Sequence, residues 1–111
     1  MDKAHRIKEN SEIKELIKHK HSAGNRYFVI YKKNNHDTTH YRFAVSVSKK
    51  FGNAVKRNLA KRRVREIIRM QQIEQPVDLF VVIKNNASNL TFQEQQKQLM
   101  YLLRKLKIIG D

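Results

Sequence analysis

The stretch KKFGNAVKRNLAKRRVRE, Lys49 to Glu66, sets eight lysines and arginines against a single acid. Gly52 and Asn53 close whatever precedes them, and Asn53 can accept the free amides of a first helical turn. The spacing then predicts a helix from about Ala54 to Gln72. At about 100° per residue, Arg57, Lys61, Arg62, Arg65 and Arg69 fall within one arc of about 140°. Ala60, Val64, Ile67, Ile68 and Met70 occupy much of the remaining arc and are expected to pack onto a sheet. A charge run on a helix is usually a solvated face, but such a face commonly carries acids at i±4 to relieve repulsion. Here only Glu66 serves. Lys49 and Lys50 extend the same charge beyond the helix, and Asn58 sits among the cations at a position where its helix propensity is poor. An asparagine there can donate to and accept from sugar, phosphate or base edges.

Outward from this helix, YRFAVSVSKK alternates, with Tyr41, Phe43, Val45 and Val47 on one face and Arg42, Ala44, Ser46 and Ser48 on the other. RYFVIYKK is an aromatic and β-branched run of strand length, and NNHDTTH between the two has hairpin composition. These two segments are expected to pair as antiparallel strands, and a third strand can be carved from YRFAVSVSKK, the longer and later of the two, or from its approach. Upstream, Ile13, Leu16 and Ile17 follow i, i+3, i+4 spacing, which predicts a helix over roughly 11–20 with Asn10 or Ser11 as its cap. HSAGN breaks it. Downstream, IEQPVD ends the basic helix, and DLFVVIK is almost uniformly apolar, as in a central strand covered on both faces. TFQE then supplies a capping box from Thr91 and Glu94 for a final helix to about Leu106. Phe92, Leu99, Leu103 and Leu106 form its expected buried stripe with Leu102 beside them, and the glutamines from Gln93 to Gln98 its exposed face. The order is α-β-β(-β)-α-β-α in an α+β class.

The 111 residues, 40% hydrophobic, suit one domain over 1–111 with a single modest core. Lys and Arg number 24 against 10 acids, a formal charge of +14 that self-repels unless a polyanion covers it. No run approaches the roughly 18 apolar residues of a spanning helix. MDKAHRIKEN has no apolar core behind its basic residues and is read as no secretory signal, so a cytoplasmic protein is expected. The absence of cysteine removes disulfides and thiolate zinc sites, hence zinc ribbons and knuckles.

SVSKKFGNAVKRNLAKRRVRE resembles the segment of the bacterial ribonuclease P protein subunit in which a Ser-Lys-Lys strand end and a Gly-Asn-Ala-Val turn precede an Arg-Asn-Arg helix. The resemblance runs over nearly the whole chain, through HSAGNRYFVIY, DLFVVIK and LTFQEQQKQLMYLLRKL. It implies a single-domain α/β sandwich of order α-β-β-β-α-β-α with a left-handed βαβ crossover around the basic helix. It also implies a protein that binds the catalytic RNA subunit and precursor tRNA, while hydrolysis takes place on Mg2+ bound by that RNA. No catalytic side chain, no metal held by the protein, no membrane and no obligate protein partner are then expected. Matching positions make Lys49, Lys50, Asn53, Arg57, Asn58, Lys61, Arg62 and Arg65 the RNA contacts. Ile13, Ile17 and Tyr31 match a cleft that holds the substrate's 5′ leader. Isoleucines replace the aromatics common at the two helix positions, so leader contact there is expected to be mainly van der Waals. The family's second motif arginine is Leu59 here, and a usually apolar position is Arg63. The two lie about 40° apart on the wheel, which suggests an exchange of roles.

His5, His19, His21, His36 and His40 could suggest acid-base cleavage, and Asp2, Glu9, Glu12 and Glu15 a two-metal site. Neither set assembles a constellation from its spacing. A ribosomal or chaperone RNA-binding module without a processing role is the alternative from another class, and an autonomous nuclease a further one.

Overall fold

The computed structural model describes residues 5–7, 9–19 and 21–110; Asp2, and Lys20 at the end of the expected first helix, lie outside them. Among the described residues the elements are α1 (Asn10–Lys18), β1 (Ser22–Gly24), β2 (Phe28–Asn34), β3 (Arg42–Val47), α2 (Ala54–Met70), β4 (Val77–Ile83) and α3 (Phe92–Lys105). Two 3-10 turns, Lys49–Phe51 and Asn85–Asn89, precede α2 and α3. The element order matches the expected one.

The four strands form one sheet in the order β1-β2-β4-β3. β1 comes from HSAGN, ahead of RYFVIYKK, and not from YRFAVSVSKK or its approach as expected; Asn25 turns the chain between β1 and β2, its Oδ1 accepting from the amides of Tyr27 (2.9 Å) and Phe28 (3.0 Å). The expected pairing of β2 with β3 is not made. β4 lies between them, antiparallel to β2 and parallel to β3. The reason is hydrophobic: β4 buries six of its seven residues, and an interior strand has the fullest apolar cover on both faces. β3, whose second face carries Arg42, Ala44 and Ser46, takes the edge.

Both faces of the sheet are covered. Phe28, Ile30, Phe43, Leu79, Val81 and Ile83 meet Ala60, Val64, Ile67 and Ile68 of α2 and Leu99, Leu102 and Leu103 of α3 in the larger core. On the opposite face Phe80 packs with Ile7 and Leu16, and Ile13, Tyr31, Ala44 and Val82 surround them. Several local expectations shift. α1 starts at Asn10 behind Glu9, with no side-chain cap, so neither Asn10 nor Ser11 caps it. α2 stops at Met70, which is exposed rather than packed. Gln95 is buried rather than solvated, filling the gap between the first turn of α3 and the loop before it. The Asn53 cap and the Thr91–Glu94 capping box form as expected, and the Thr91 backbone and side-chain hydrogen bonds hold the Glu94 carboxyl below its ordinary range.

Asp78, the one charge in β4, is buried and faces α1's side of the sheet. Arg42, its register partner on β3, donates from Nε to Oδ1 (3.0 Å) and from Nη2 to Oδ2 (2.8 Å). Asn35 Nδ2 donates to the same carboxylate at 3.2 and 3.1 Å. Arg42 Nη2 also reaches Glu12 of α1 at 3.3 Å, so one guanidinium ties the helix to the sheet. The hydrogen bond to Asp78 raises the Arg42 pKa; burial opposes the shift, and the charges of Asp78 and Glu12 reinforce it. Losing one partner of a buried pair leaves an uncompensated charge at a cost of about 3–5 kcal/mol. Because the Arg42 side chain keeps 19% exposure, Arg42→Ala should cost about 3 kcal/mol in urea unfolding, near the lower end. Arg42→Leu combined with Asp78→Leu should recover most of that loss, and a double variant no more stable than Arg42→Ala would show the pair itself to be stabilising.

Candidate nucleic-acid interface

The approach to α2 is built residue by residue. The Ser48 amide donates to Ile83 O (3.0 Å), pinning the end of β3 beside β4, and Ser48 Oγ accepts from the Lys50 amide (3.2 Å) to start the turn that presents Lys49 and Lys50. Gly52 lets that turn sit directly against the helix: a Cβ there would lie 3.0 Å from Lys56 Cδ and 3.2 Å from Lys56 Cβ. Asn53 Oδ1 accepts from the Lys56 amide at 2.9 Å, so its carbonyl serves the cap and its NH2 remains available as a donor. The first turn of α2 carries no acid, so the positive end of the helix dipole adds to the two lysines.

Beyond the cap, Asn58 and Arg62 are exposed, while Arg57, Lys61 and Arg65 are half-buried along the helix flank. Among the described residues no cation of α2 enters an ion pair; the pairs are those of Arg42. The Nε atoms of Arg57 and Arg65 are shielded from solvent and have no hydrogen-bond partner. Buried donors are normally satisfied, and a phosphate oxygen is the acceptor that suits a guanidinium.

Arg57, Asn58, Lys61 and Lys49 form one wall of a cleft of about 530 Å³. Ala44 and Ser46 of β3 and Phe80 of β4 contribute its floor, and Ile13 of α1 its far side. The structure thus joins two regions that the sequence suggests separately, the cationic helix and the cleft beside α1. Of the three cleft residues, Ile13 lines it. Tyr31 stands behind Phe80, with ring centroids 6.1 Å apart and planes at 26°. Ile17 is 43% exposed and lies outside the cleft, because Leu16 takes the buried position of that turn. Lys50, Asn53, Arg62 and Arg65 flank the cleft without lining it. Phe80 is a further groove residue; its sequence signal is the alternation within β4, which sends it to the face opposite Leu79 and Val81.

Leu59 and Arg63 do share one place: both line a smaller groove of about 280 Å³ on another flank of α2. The histidines divide. His5 meets His40 (4.7 Å between ring centroids) and Tyr41 (4.5 Å), a cluster that sequence spacing did not reveal. His19, His21 and His36 are exposed. Among the described residues no group of three or more His, Asp or Glu side chains converges as metal ligands, and no helix is long and apolar enough to cross a membrane.

A cation-walled cleft with an apolar floor, on a mixed three-layer sandwich, defines a small basic α+β domain shaped to hold a polyanion. The family described as Ribonuclease P matches residues 1–107. A Ribonuclease P protein component from Staphylococcus aureus is 38% identical over 111 residues, covering 99% of this chain and 96% of its own. A solved structure of a Staphylococcus aureus RNase P protein mutant with defective mRNA degradation activity superposes with a TM-score of 0.90 at 38% identity, over 96% of this chain and 92% of that one. The RNase P protein from Thermotoga maritima gives 0.81 at 29% identity, over 90% and 96%. The chain belongs to the ribonuclease P protein family.

Two measurements probe this surface. The affinity of RNA should fall with salt along a log-log slope of about −0.7 to −0.9 per neutralised phosphate. Lys61→Glu with Arg65→Glu should flatten that slope by about two such steps without lowering the unfolding midpoint; an unchanged slope would move the RNA elsewhere. For the second motif position, Leu59→Arg and Arg63→Leu should each weaken RNA binding, and together restore it. Strict additivity of the two effects would mean that the residues do not exchange roles.

Proposed function

We propose that this chain acts as the protein subunit of a ribonuclease P ribonucleoprotein, binding the catalytic RNA and the 5′ leader of precursor tRNA in the cytoplasm. The observation that carries the reading is the continuity of the cationic wall with the apolar floor in one open cleft. In this reading Lys49, Lys50, Asn53, Arg57, Asn58, Lys61, Arg62 and Arg65 bind phosphates and sugars of the RNA subunit and nearby substrate. The leader runs across Ile13 and Phe80. Tyr31 supports Phe80 from behind, and Ile17, outside the cleft, takes no part. Single-stranded RNA is held in this way elsewhere, by flat apolar contact beneath the bases and cations along the backbone.

The chain's chemical part is electrostatic. It gathers two polyanions whose mutual repulsion would otherwise need high salt, and it orients the scissile region by holding the leader. Hydrolysis takes place on magnesium held by the RNA, and no side chain of this protein is required to move a proton. No further protein is needed.

The test is reconstitution with the RNA subunit encoded by the same genome. At low magnesium, precursor cleavage should require both components, and Lys61→Glu with Arg65→Glu should abolish the protein's contribution while high magnesium restores cleavage by the RNA. A protein that leaves cleavage unchanged at every magnesium concentration would instead be an RNA-binding module without a processing role. The mRNA degradation activity attributed to the Staphylococcus aureus protein motivates one control, incubation of the chain with an mRNA fragment and no RNA subunit. Cleavage there would place a second activity on the polypeptide itself.

A further inference from the structure

Gln95 stands in the first turn of α3, where sequence periodicity leads one to expect a solvated side chain, yet it is 4% exposed. Its Nε2 donates to Leu90 O at 3.2 Å. A backbone carbonyl can only accept, so this contact fixes the amide's orientation and leaves Oε1 as the other end. Oε1 is shielded from solvent and has no hydrogen-bond partner. A buried acceptor without a donor is costly and uncommon in a folded protein.

The same residue lines the smaller groove that holds Leu59 and Arg63, and Phe51, Lys56 and Asn89 line it too. Phe51 and Leu59 give flat apolar surface, Lys56 and Arg63 positive charge, and Gln95 an unmet acceptor. At about 280 Å³, the groove sits just below the range of about 300–1,000 Å³ typical of small-molecule sites, which limits an occupant to one ring system with its attachment. By about 100° per residue, Lys56, Leu59 and Arg63 lie on a different flank of α2 from Arg57, Lys61 and Arg65. RNA lying over the cationic stripe can therefore send a neighbouring nucleotide over the helix and into this groove.

We propose that this groove captures a single unstacked nucleobase of RNA. The base lies against Phe51 and Leu59, an amino N–H of the base donates to Gln95 Oε1 as the side chains of Leu59 and Arg63 shift to admit it, and the flanking phosphate pairs with Lys56 and Arg63. Cytosine, adenine and guanine all carry such an amino group, and uracil does not. The proposal rests on the reading of this chain as an RNA-binding subunit and adds a base-reading contact to it.

The test uses the full-length protein, labelled with 15N, and adenosine 5′-monophosphate as the probe. Saturable shifts are expected at the Gln95 side-chain amide and the Phe51 backbone amide. The 5′-monophosphate of purine riboside, which lacks the amino group, should bind at least about tenfold more weakly. Gln95→Met should erase that difference while retaining stacking, and Leu59→Trp, at an exposed helix position, should fill the groove and remove the shifts while the rest of the spectrum shows a folded protein. The proposal is overturned if Gln95 does not respond up to the solubility limit of the nucleotide, if both nucleotides bind equally, or if inorganic phosphate reproduces the same shifts. Mononucleotide binding is read without the RNA subunit or cleavage, so its failure leaves the reconstitution result standing, and the converse also holds.

Discussion

The burial of β4 on both faces is the constraint from which the rest of the architecture follows. A strand with Val77, Leu79, Val81 and Ile83 on one side and Phe80 and Val82 on the other is shielded most completely inside the sheet, under cover on both faces. It is therefore paired on both sides, which also satisfies its backbone groups. With β4 inside, β3 becomes the edge, and the helix between them must lie over one face. Ala60, Val64, Ile67 and Ile68 fix which side of α2 turns inward. The cations then have no place except the outer flanks, beside β3, and the position of the basic wall is a consequence of where the apolar residues go.

Charge is arranged with equal economy. Of the few acids, Asp78 and Glu12 are engaged by Arg42, and Glu94 closes the cap of α3. Some lysines have structural duties: Lys32 Nζ donates to Leu106 O (3.0 Å) at the C-terminal end of α3, where a cation is favoured, and Lys84 Nζ donates to Asn25 O (2.8 Å). These cations lie apart from the cleft. Among the described residues those of α2 and the turn before it enter no ion pair, so their repulsion weighs on the free protein and would be relieved by a bound polyanion. The unpartnered Nε atoms of Arg57 and Arg65 carry the same asymmetry at the level of single hydrogen bonds.

Much of this was legible because it depends on local chemistry. Asn53 before a helical run and Thr91 three residues before Glu94 cap their helices through contacts within one turn. The spacing of Arg57, Lys61 and Arg65 fixes a common flank before any tertiary contact is known. What the sequence concealed depends on which strands meet. The hairpin composition of NNHDTTH suggested that β2 and β3 are neighbours, but loop composition carries no information about a third strand arriving later in the chain. The cleft was visible only as two halves, since Ile13, Phe80 and Lys61 become neighbours through sheet order alone. Gln95 was misplaced for a related reason: periodicity locates a helix face, but whether a polar residue there is covered depends on the preceding turn, Asn85–Asn89, folding back beside it.

Sheet order also links the cleft's width to a contact outside it. Glu12 is the residue before Ile13 on α1, and it meets the same Arg42 guanidinium that holds Asp78 of β4. Ile13 forms the far side of the cleft, while Arg57, Asn58 and Lys61 form the near wall on a helix anchored from the other face of the sheet. The distance between the walls is thus set by two independent packings, the larger core for α2 and the smaller core plus one guanidinium for α1. Among the described residues the smaller core buries Ile7, Leu16 and Phe80, far fewer than the larger one, so it is the softer of the two. The α2 side is thus the firm wall of the cleft, and the α1 side the one that can yield. That division suits a site in which charge must be fixed while the shape of the passing strand varies.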